Sequence, residues 1–223
     1  LFPVTDGSRS KDNTIEADNL GSDMDRAPRS FPSIANVTFV QDYGGDTLQL
    51  REGTGINLWN SIVSGNPEDS AGCVDVDDDE TFRFMSEENG LSFAGTLFDS
   101  VKCGTWYFND GQGGIEAGGG LEGDNDVADG GFAFDVAEYI ANNAYVGATG
   151  LHGRMRNAAY ITHPLVDSYY EAADANSIDP RVDTTTFIGG VESEANDWTV
   201  GWTFGLHMDC LLYTSPSPRD DEL

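Results

Sequence analysis

The residues most able to do chemistry form a short acidic run between positions 75 and 80. Its carboxylates belong to Asp75, Asp77, Asp78, Asp79 and Glu80. Alternation along a β-strand would place Asp75 and Asp77 on one outward face, and the turn that follows would bring the others beside them. Converging carboxylate oxygens are what a hard cation such as Ca²⁺ requires. We expect any bound Ca²⁺ at this run, and a solvated acidic turn is the simpler interpretation of the same residues.

Three further side chains could contact a polysaccharide. Arg51 is the basic residue best placed beside the acidic run, because it occupies the equivalent strand one repeat earlier. Trp59 and Trp106 could stack on sugar rings if they are exposed, although aromatic side chains are more often buried or packed at an edge. A second acidic run at 124–129 is a weaker cation candidate, because it lies in a Gly-rich loop that is costly to order.

The element that must position these residues is a repeat of short strands. Apolar and polar residues alternate within each strand, so one face points inward. Leu48 and Val74 occupy equivalent places 26 residues apart, and Asn36 and Asn60 occupy equivalent places 24 residues apart. A near-constant period is typical of a stacked solenoid. The sequence therefore predicts an all-β fold, a right-handed parallel β-helix with two strands in each coil. A β-sandwich is the alternative.

The repeat also predicts how neighbouring coils stack. The strand that holds Leu48 and Leu50 should lie parallel to the strand that holds Val74 and Val76, about 4.8 Å away. In that register Leu48 lies above Val74, and Leu50 lies above Val76.

Two of the three cysteines lie about one coil apart. Cys73 opens a strand, and Cys103 follows the strand pair of the same repeat. Adjacent coils are about 5 Å apart, which is within reach of a disulfide. We expect a Cys73–Cys103 disulfide, with two free thiols as the alternative. Cys210 lies in a C-terminal tail that we exclude from the fold.

The chain divides into one domain and a tail. Residues 1–206 form a β-helix domain fragment that starts at Leu1 rather than Met and, we expect, lacks its first coils. Its coils occupy about 13–104, and a Gly/Asp-rich insertion follows at about 105–131. A short helix and an irregular C-terminal cap fill about 132–206. Residues 207–223 resemble a sequencing-adapter read-through, and we expect them to be non-native.

Two features are expected in the C-terminal part. Apolar residues between Phe134 and Ala141 have the spacing of a short amphipathic helix, which Asp135 could cap. Trp198 and Trp202 would suit a cap that covers the apolar column at the open end of the solenoid.

The chain is strongly acidic, with 39 Asp and Glu against 11 Lys and Arg and a net charge of −28. Such a surface repels phosphate backbones and anionic lipids, which argues against nucleic-acid and membrane-surface partners. No hydrophobic run approaches the ~18 residues that a membrane-spanning helix needs. We expect a monomer that is secreted or held at the cell surface.

Several stretches resemble a group of bacterial secreted proteins, without assigned activity, that have a pectin-lyase-like right-handed parallel β-helix. The resemblance covers most of 13–204 and is poor between 105 and 180. The matching stretches are 15–19, 28–30, 36–39, 50–54, 60–63, 73–77, 187–190 and 197–203.

This resemblance implies the fold but does not choose an activity, because the fold is shared by lyases, hydrolases and adhesins. The favoured function is a non-catalytic extracellular module that binds glycan or acts as an adhesive or structural element. The alternative is a Ca²⁺-dependent polysaccharide lyase. In such an enzyme the cation would bridge the substrate, and Arg51 would abstract a proton next to a uronate carboxylate.

Overall fold

The structure is a computed structural model, and it describes most of the first hundred residues and parts of the C-terminal half. The described residues are 13–40, 46–65, 73–100, 103, 134, 136–149, 151 and 170–199. The predicted insertion at 105–131 and the tail at 207–223 lie outside this part of the chain.

The described strands form three parallel sheets, and each turn of the chain adds one strand to every sheet. Sheet A contains β1 (Ile15–Asp18), β4 (Leu48–Arg51) and β7 (Val74–Val76). Sheet B contains β2 (Ser33–Ala35), β5 (Ile56–Trp59) and β8 (Leu91–Ser92). Sheet C contains β3 (Thr38–Val40), β6 (Ile62–Ser64), β9 (Leu97–Asp99) and β10 (Tyr145–Gly147). Every pair is parallel, which confirms the parallel β-helix. Its right hand stays a prediction, in keeping with the usual hand of parallel crossovers.

The predicted register between the second and third coils is confirmed. Leu48 pairs with Val74, and Leu50 pairs with Val76. All four side chains are buried in the central column. The polar residues between them in the sequence therefore face outward on sheet A.

Each coil has three strands, so the prediction of two strands was wrong. The apolar stretch from Ile34 to Val40 is divided into β2 and β3 by a corner at Asn36 and Val37, where Asn36 has φ 55°. Asn60 (φ 48°) and Gly95 (φ 67°) make the same left-handed turn in the next two coils. Asn and Gly tolerate this conformation better than other residues. A corner as short as the two residues at 36–37 or 60–61 leaves the apolar alternation nearly unbroken, which is why the sequence did not reveal it.

The predicted disulfide is confirmed. Cys73 and Cys103 are bonded, with Cα atoms 5.4 Å apart and a sequence separation of 30 residues. Both side chains are buried. The bond therefore links the start of the third coil to the residues that follow β9, within the core.

Helix α1 (Asp79–Glu88) begins within the acidic run, where only a turn was predicted. Its buried residues are Thr81, Phe82, Phe84 and Met85. The helix ends at Asn89, which adopts a left-handed conformation with φ 58°. The helix was not predicted because its buried residues are few and lie among acidic residues in the sequence. The predicted helix near 134–141 is confirmed as α2 (Val136–Asn143), while Asp135 lies outside the described residues.

The described C-terminal segment packs against the corners of the coils, and the cap over their open end stays a prediction. Residues 170–190, which we call the strap, include α3 (Ala175–Ile178). A 3₁₀ turn follows at Glu194–Asn196. Trp198 is 57% exposed and donates its indole N–H to the Gly190 carbonyl oxygen at 2.6 Å, while Trp202 lies outside the described residues.

The strap crosses the left-handed corners of three coils. Asn36 Nδ2 donates to the Phe187 carbonyl oxygen at 2.9 Å, and Asn60 Nδ2 donates to the Ala173 carbonyl oxygen at 2.9 Å. A Cβ at Gly95 would lie 2.8 Å from Ala173 N and closer still to Asn60. Gly is therefore needed at the third corner, because the strap leaves no room for an Asn there.

Among the described residues, no helix is long and apolar enough to cross a membrane.

Candidate functional site

The candidate site is the outer face of sheet A, which carries two rows of polar side chains across three coils. One row is Glu16, Gln49 and Asp75, and the other is Asp18, Arg51 and Asp77. In the first row, Glu16 pairs in register with Gln49, which pairs with Asp75. In the second row, Asp18 pairs in register with Arg51. Asp77 completes this row just after β7, where its N–H donates to the Leu50 carbonyl oxygen at 2.9 Å.

Gln49 gathers the two carboxylates of the third coil. Its Nε2 donates to Oδ2 of Asp75 at 3.0 Å and to Oδ2 of Asp77 at 3.3 Å. Its Oε1 accepts a hydrogen bond from Asn13 Nδ2 at 2.7 Å. Because the oxygen of the amide is already engaged by Asn13, the NH₂ group is directed towards Asp75 and Asp77.

Arg51 faces the other way, towards the first coil. Its Nε donates to Asp18 Oδ1 at 2.9 Å, and its Nη2 is paired with Glu16. The hydrogen bond with Asp18, together with the negative charges of Asp18, Glu16 and Glu52, raises the pKa of Arg51. The guanidinium therefore stays charged while its charge is balanced by the two carboxylates of β1.

A cleft of 340 Å³ opens beside these rows. Its lining residues are Gly21, Met24, Arg51, Glu52, Asp77 and Asp78. Glu52 lies at the corner after β4, and Asp78 lies at the start of α1, where its Oδ2 accepts the Glu52 N–H at 2.8 Å. The cleft thus lies between the loop that follows β1 and the two corners that end β4 and β7.

Arg29 contacts three segments around the cleft. Its Nη1 donates to the carbonyl oxygens of Gly53 at 2.7 Å and Met24 at 3.2 Å. Its Nη2 lies 2.7 Å from Glu80 Oε1 on α1. The guanidinium also stacks 4.4 Å from the centre of the Phe84 ring. One side chain therefore joins the loop before β2, the corner after β4 and the helix.

Glu80, one of the predicted cation ligands, is held by two arginines. Arg83 Nε donates to its Oε2 at 2.7 Å, and Arg83 Nη2 donates to its Oε1 at 2.6 Å. These hydrogen bonds, with the one from Arg29, lower the pKa of Glu80. The carboxylate is therefore ionised and already neutralised by protein cations.

The five predicted Ca²⁺ ligands do not form one cluster in this structure. Asp75 and Asp77 lie on sheet A, Asp78 binds the backbone at Glu52, and Glu80 binds arginine. Within the described residues, no group of three or more His, Cys, Asp or Glu side chains is arranged to hold a metal ion. As they stand, these side chains do not fit a Ca²⁺ site. Calcium binding therefore remains a prediction to be tested by titration.

The predicted glycan contacts have different outcomes. Arg51 lies on the sheet A face one coil before the acidic run, as predicted, and lines the cleft, while its contact with glycan stays a prediction. Trp59 is only 2% exposed, and its indole N–H donates to Ser92 Oγ at 2.9 Å. A buried ring cannot stack on a sugar, so Trp59 does not meet the exposure on which its predicted contact depended. Trp106 and the acidic run at 124–129 lie outside the described residues.

Several residues of the face were missed from the sequence. They are Asn13, Glu16, Asp18 and Gln49 on the face, and Arg29 behind the cleft. The spacing of the repeat could have found the residues of β1. Ile15 occupies the place of Leu48 one coil earlier, so the same interval pairs Asp18 with Arg51. Arg29 had no comparable signal, because it lies in the loop between β1 and β2, outside the repeating strands.

Comparison with known families supports the fold. Residues 4–110, slightly under half of the chain, match the family model described as a pectate-lyase like beta helix domain. This part of the chain therefore has a pectate-lyase-like β-helix fold. No significant match to the chain was found among the curated proteins or the solved structures.

Proposed function

We propose that the protein is an extracellular β-helix module that binds polysaccharide on the sheet A face without cleaving it, as an adhesive or structural element. The match to a pectate-lyase-like domain supports a carbohydrate ligand. The Cys73–Cys103 disulfide supports an oxidising compartment, since such bonds persist mainly outside the cytosol.

The observation that carries this proposal is the pair of polar rows beside the cleft. Parallel strands repeat about every 4.8 Å, so the rows offer hydrogen-bonding groups at regular intervals along the solenoid. Gln49 and Arg51 are both fixed by partners on neighbouring strands, Asp75 and Asp18 respectively. Groups that are already ordered lose little entropy when they bind a ligand. A linear polymer laid along the coils would meet these groups in succession.

The state of Arg51 favours binding over lyase chemistry. A lyase needs a group that accepts a proton from the sugar, and such a base works best when its pKa lies near the working pH. The hydrogen bond with Asp18 and the charges around it raise the pKa of Arg51, which starts far above neutrality. Arg51 is therefore suited to donate hydrogen bonds and poorly suited to abstract a proton.

Binding can be tested by titrating the full-length chain with a panel of soluble oligosaccharides. We expect Gln49→Ala to weaken binding by about tenfold, since it removes a hydrogen-bonding side chain from the face. Asn57→Ala is a matched control, because Asn57 is an outward amide at the same coil level on sheet B. Equal losses in the two variants would contradict the proposed face.

Cleavage can be followed in the same samples by the absorbance of unsaturated products. We expect none from polygalacturonate or alginate, with or without Ca²⁺. Product that forms in the unmodified protein and disappears in Arg51→Ala would overturn the non-catalytic assignment in favour of the lyase.

A further inference from the structure

We propose that Asn36 is an N-glycosylation acceptor that the strap conceals, so that docking of the strap and modification of Asn36 exclude each other. Asn36, Val37 and Thr38 form the one Asn-X-Ser/Thr motif in the 223-residue sequence. This motif is the acceptor of N-linked sugars in secreted proteins. The inference goes beyond polysaccharide binding, because it concerns the corner between sheets B and C and not the sheet A face.

The modification requires two groups of the motif to be accessible. The amide nitrogen of the Asn attacks the anomeric carbon of a sugar that is activated as a nucleotide or lipid phosphate. A bond forms between Nδ2 and that carbon, the bond from the carbon to the phosphate breaks, and Nδ2 loses a proton. The hydroxyl group at the third position is part of the motif that the transferase recognises.

The strap occupies the amide group of Asn36. Its Nδ2 donates to the Phe187 carbonyl oxygen at 2.9 Å and lies 3.4 Å from the Gly189 carbonyl oxygen. Its Oδ1 accepts a hydrogen bond from Thr185 Oγ1 at 2.9 Å. Both ends of the amide therefore face the strap, and a sugar on Nδ2 would collide with the strap backbone.

The strap also occupies the hydroxyl group of the motif. Thr38 Oγ1 accepts the Gly190 N–H at 2.9 Å. A Cβ added to Gly189 would lie 2.9 Å from this same oxygen and 2.9 Å from Ile62 Cδ1, so the strap backbone packs directly on the motif. The nitrogen that reacts and the hydroxyl that is recognised are thus both held by 187–190.

The backbone of the coil does not itself conceal the acceptor. Asn36 forms a left-handed corner with φ 55°, and its N–H donates to the Trp59 carbonyl oxygen at 3.0 Å. These features belong to the coil, whereas the side chain is directed at the strap. Release of the strap alone would therefore uncover the acceptor while the corner stayed folded.

The order of synthesis favours modification before docking. Phe187 follows Asn36 by 151 residues, so Asn36 leaves the ribosome long before the strap is made. A chain that enters a compartment with N-glycosyl donors would be modified first, and the attached sugar would keep the strap off the corner. Ile188 would then leave Ile62 and Leu97, with which it forms a buried apolar cluster.

The test adds a soluble N-glycosyltransferase, with nucleotide-activated glucose as the donor, to the folded full-length chain and maps the product by peptide mass. We expect no sugar at Asn36. Ile178→Thr completes a motif at Asn176, which is exposed although its Nδ2 donates to the Val182 carbonyl oxygen at 2.9 Å. Asn176 should be modified in the same folded chain, which shows that the enzyme acts on folded protein.

Two neighbouring glycines supply the deciding pair of variants. Gly189 has φ 93° and no room for a Cβ, so Gly189→Ala should release the strap. A Cβ at Gly190 would lie 3.4 Å from Thr38 N, which is an ordinary contact, so Gly190→Ala should keep the strap docked. We expect Gly189→Ala to be modified at Asn36 at least about tenfold faster than Gly190→Ala.

Amide hydrogen exchange separates release of the strap from unfolding. In Gly189→Ala, exchange should accelerate in 170–190 and stay slow in 48–51. A chain modified at Asn36, prepared by adding the enzyme while the unmodified chain refolds, should show the same fast exchange in 170–190. Asn36→Gly keeps the corner and should abolish the modification.

Three results would overturn the inference. They are modification of Asn36 in the folded, unaltered chain, slow exchange in 170–190 after modification, and equal modification rates in Gly189→Ala and Gly190→Ala. None of them bears on the sheet A face, so the proposed function stands or falls separately.

Discussion

Asn60 and Ala173 hold each other through two hydrogen bonds, although 113 residues separate them in the sequence. Asn60 Nδ2 donates to the Ala173 carbonyl oxygen at 2.9 Å, and Ala173 N donates to Asn60 Oδ1 at 2.7 Å. Gly189 N also donates to the Asn60 carbonyl oxygen at 2.7 Å. Asn60 therefore both forms the corner of the second coil and binds the strap.

Replacing Asn60 with glycine tests this role. Gly tolerates the left-handed backbone, as Gly95 does in the next coil, so the variant removes the side-chain hydrogen bonds without adding strain. We expect a loss of about 1–3 kcal/mol in the free energy of unfolding, because the partly buried Ala173 N–H loses its partner. Amide hydrogen exchange in 170–190 should accelerate. Unchanged exchange there, or an equal effect of Asn57→Ala, would contradict the strap's dependence on Asn60.

The disulfide should contribute substantially to stability. Its 30-residue separation corresponds to about 3–4 kcal/mol in the chain-entropy description of loop closure. We expect a reducing agent to lower the denaturant midpoint of the unmodified protein. Cys73→Ala with Cys103→Ala should show the lower midpoint already and should not respond to the reductant. A response in that double variant would assign the effect to another cause.

The acid stability should depend on Glu80. Its folded-state pKa is lowered from the ordinary 4.5 by Arg83 and Arg29, so ionised Glu80 stabilises the folded protein. This contribution is complete above that ordinary value and is lost as the pH falls through the lowered pKa. We expect Glu80→Gln to reduce the unfolding free energy at neutral pH and to flatten its decline in acid.

Glu87→Gln is the control for this pH effect. Glu87 also lies on α1, but it is 57% exposed and contacts Arg83 alone among these arginines, at 3.4 Å. Exposed pairs of this kind contribute little. An acid profile that Glu87→Gln flattens as much as Glu80→Gln would contradict the assignment.

Calcium should stabilise the protein no more than general screening does. The five acidic side chains do not fit a Ca²⁺ site, while the net charge of −28 makes any added salt favourable. We expect CaCl₂ and NaCl at equal ionic strength to raise the melting temperature equally. An additional rise with Ca²⁺ that Asp75→Asn with Asp77→Asn abolishes would restore the predicted cation site.

The inward half of each sheet A strand could be predicted from the sequence. A side-chain period of two and a nearly constant repeat fix the register, and the pairs of Leu48 with Val74 and Leu50 with Val76 followed from them. The Cys73–Cys103 disulfide followed from the same spacing. These features are periodic, and periodicity is what a sequence displays directly.

The corners and the outward contacts were harder to predict, because they depend on single residues and on distant segments. Asn60 looks like one polar residue in a strand, yet it ends β5 and binds the strap. The sequence did not decide whether Trp59 is exposed; its ring is buried and its indole N–H donates to Ser92 Oγ. The position of Arg51 on the outer face was predicted correctly. Its partners on β1, Glu16 and Asp18, could be found only by aligning the first coil with the second.

The most direct test of the proposed binding face is an amide hydrogen-exchange footprint of the full-length chain with an oligosaccharide from the titration panel bound. The face predicts slower exchange in 13–18, 48–52 and 75–78, with little change in sheets B and C. Protection confined to sheet B or sheet C, at 33–40 or 56–64, would contradict the assignment of the site to sheet A.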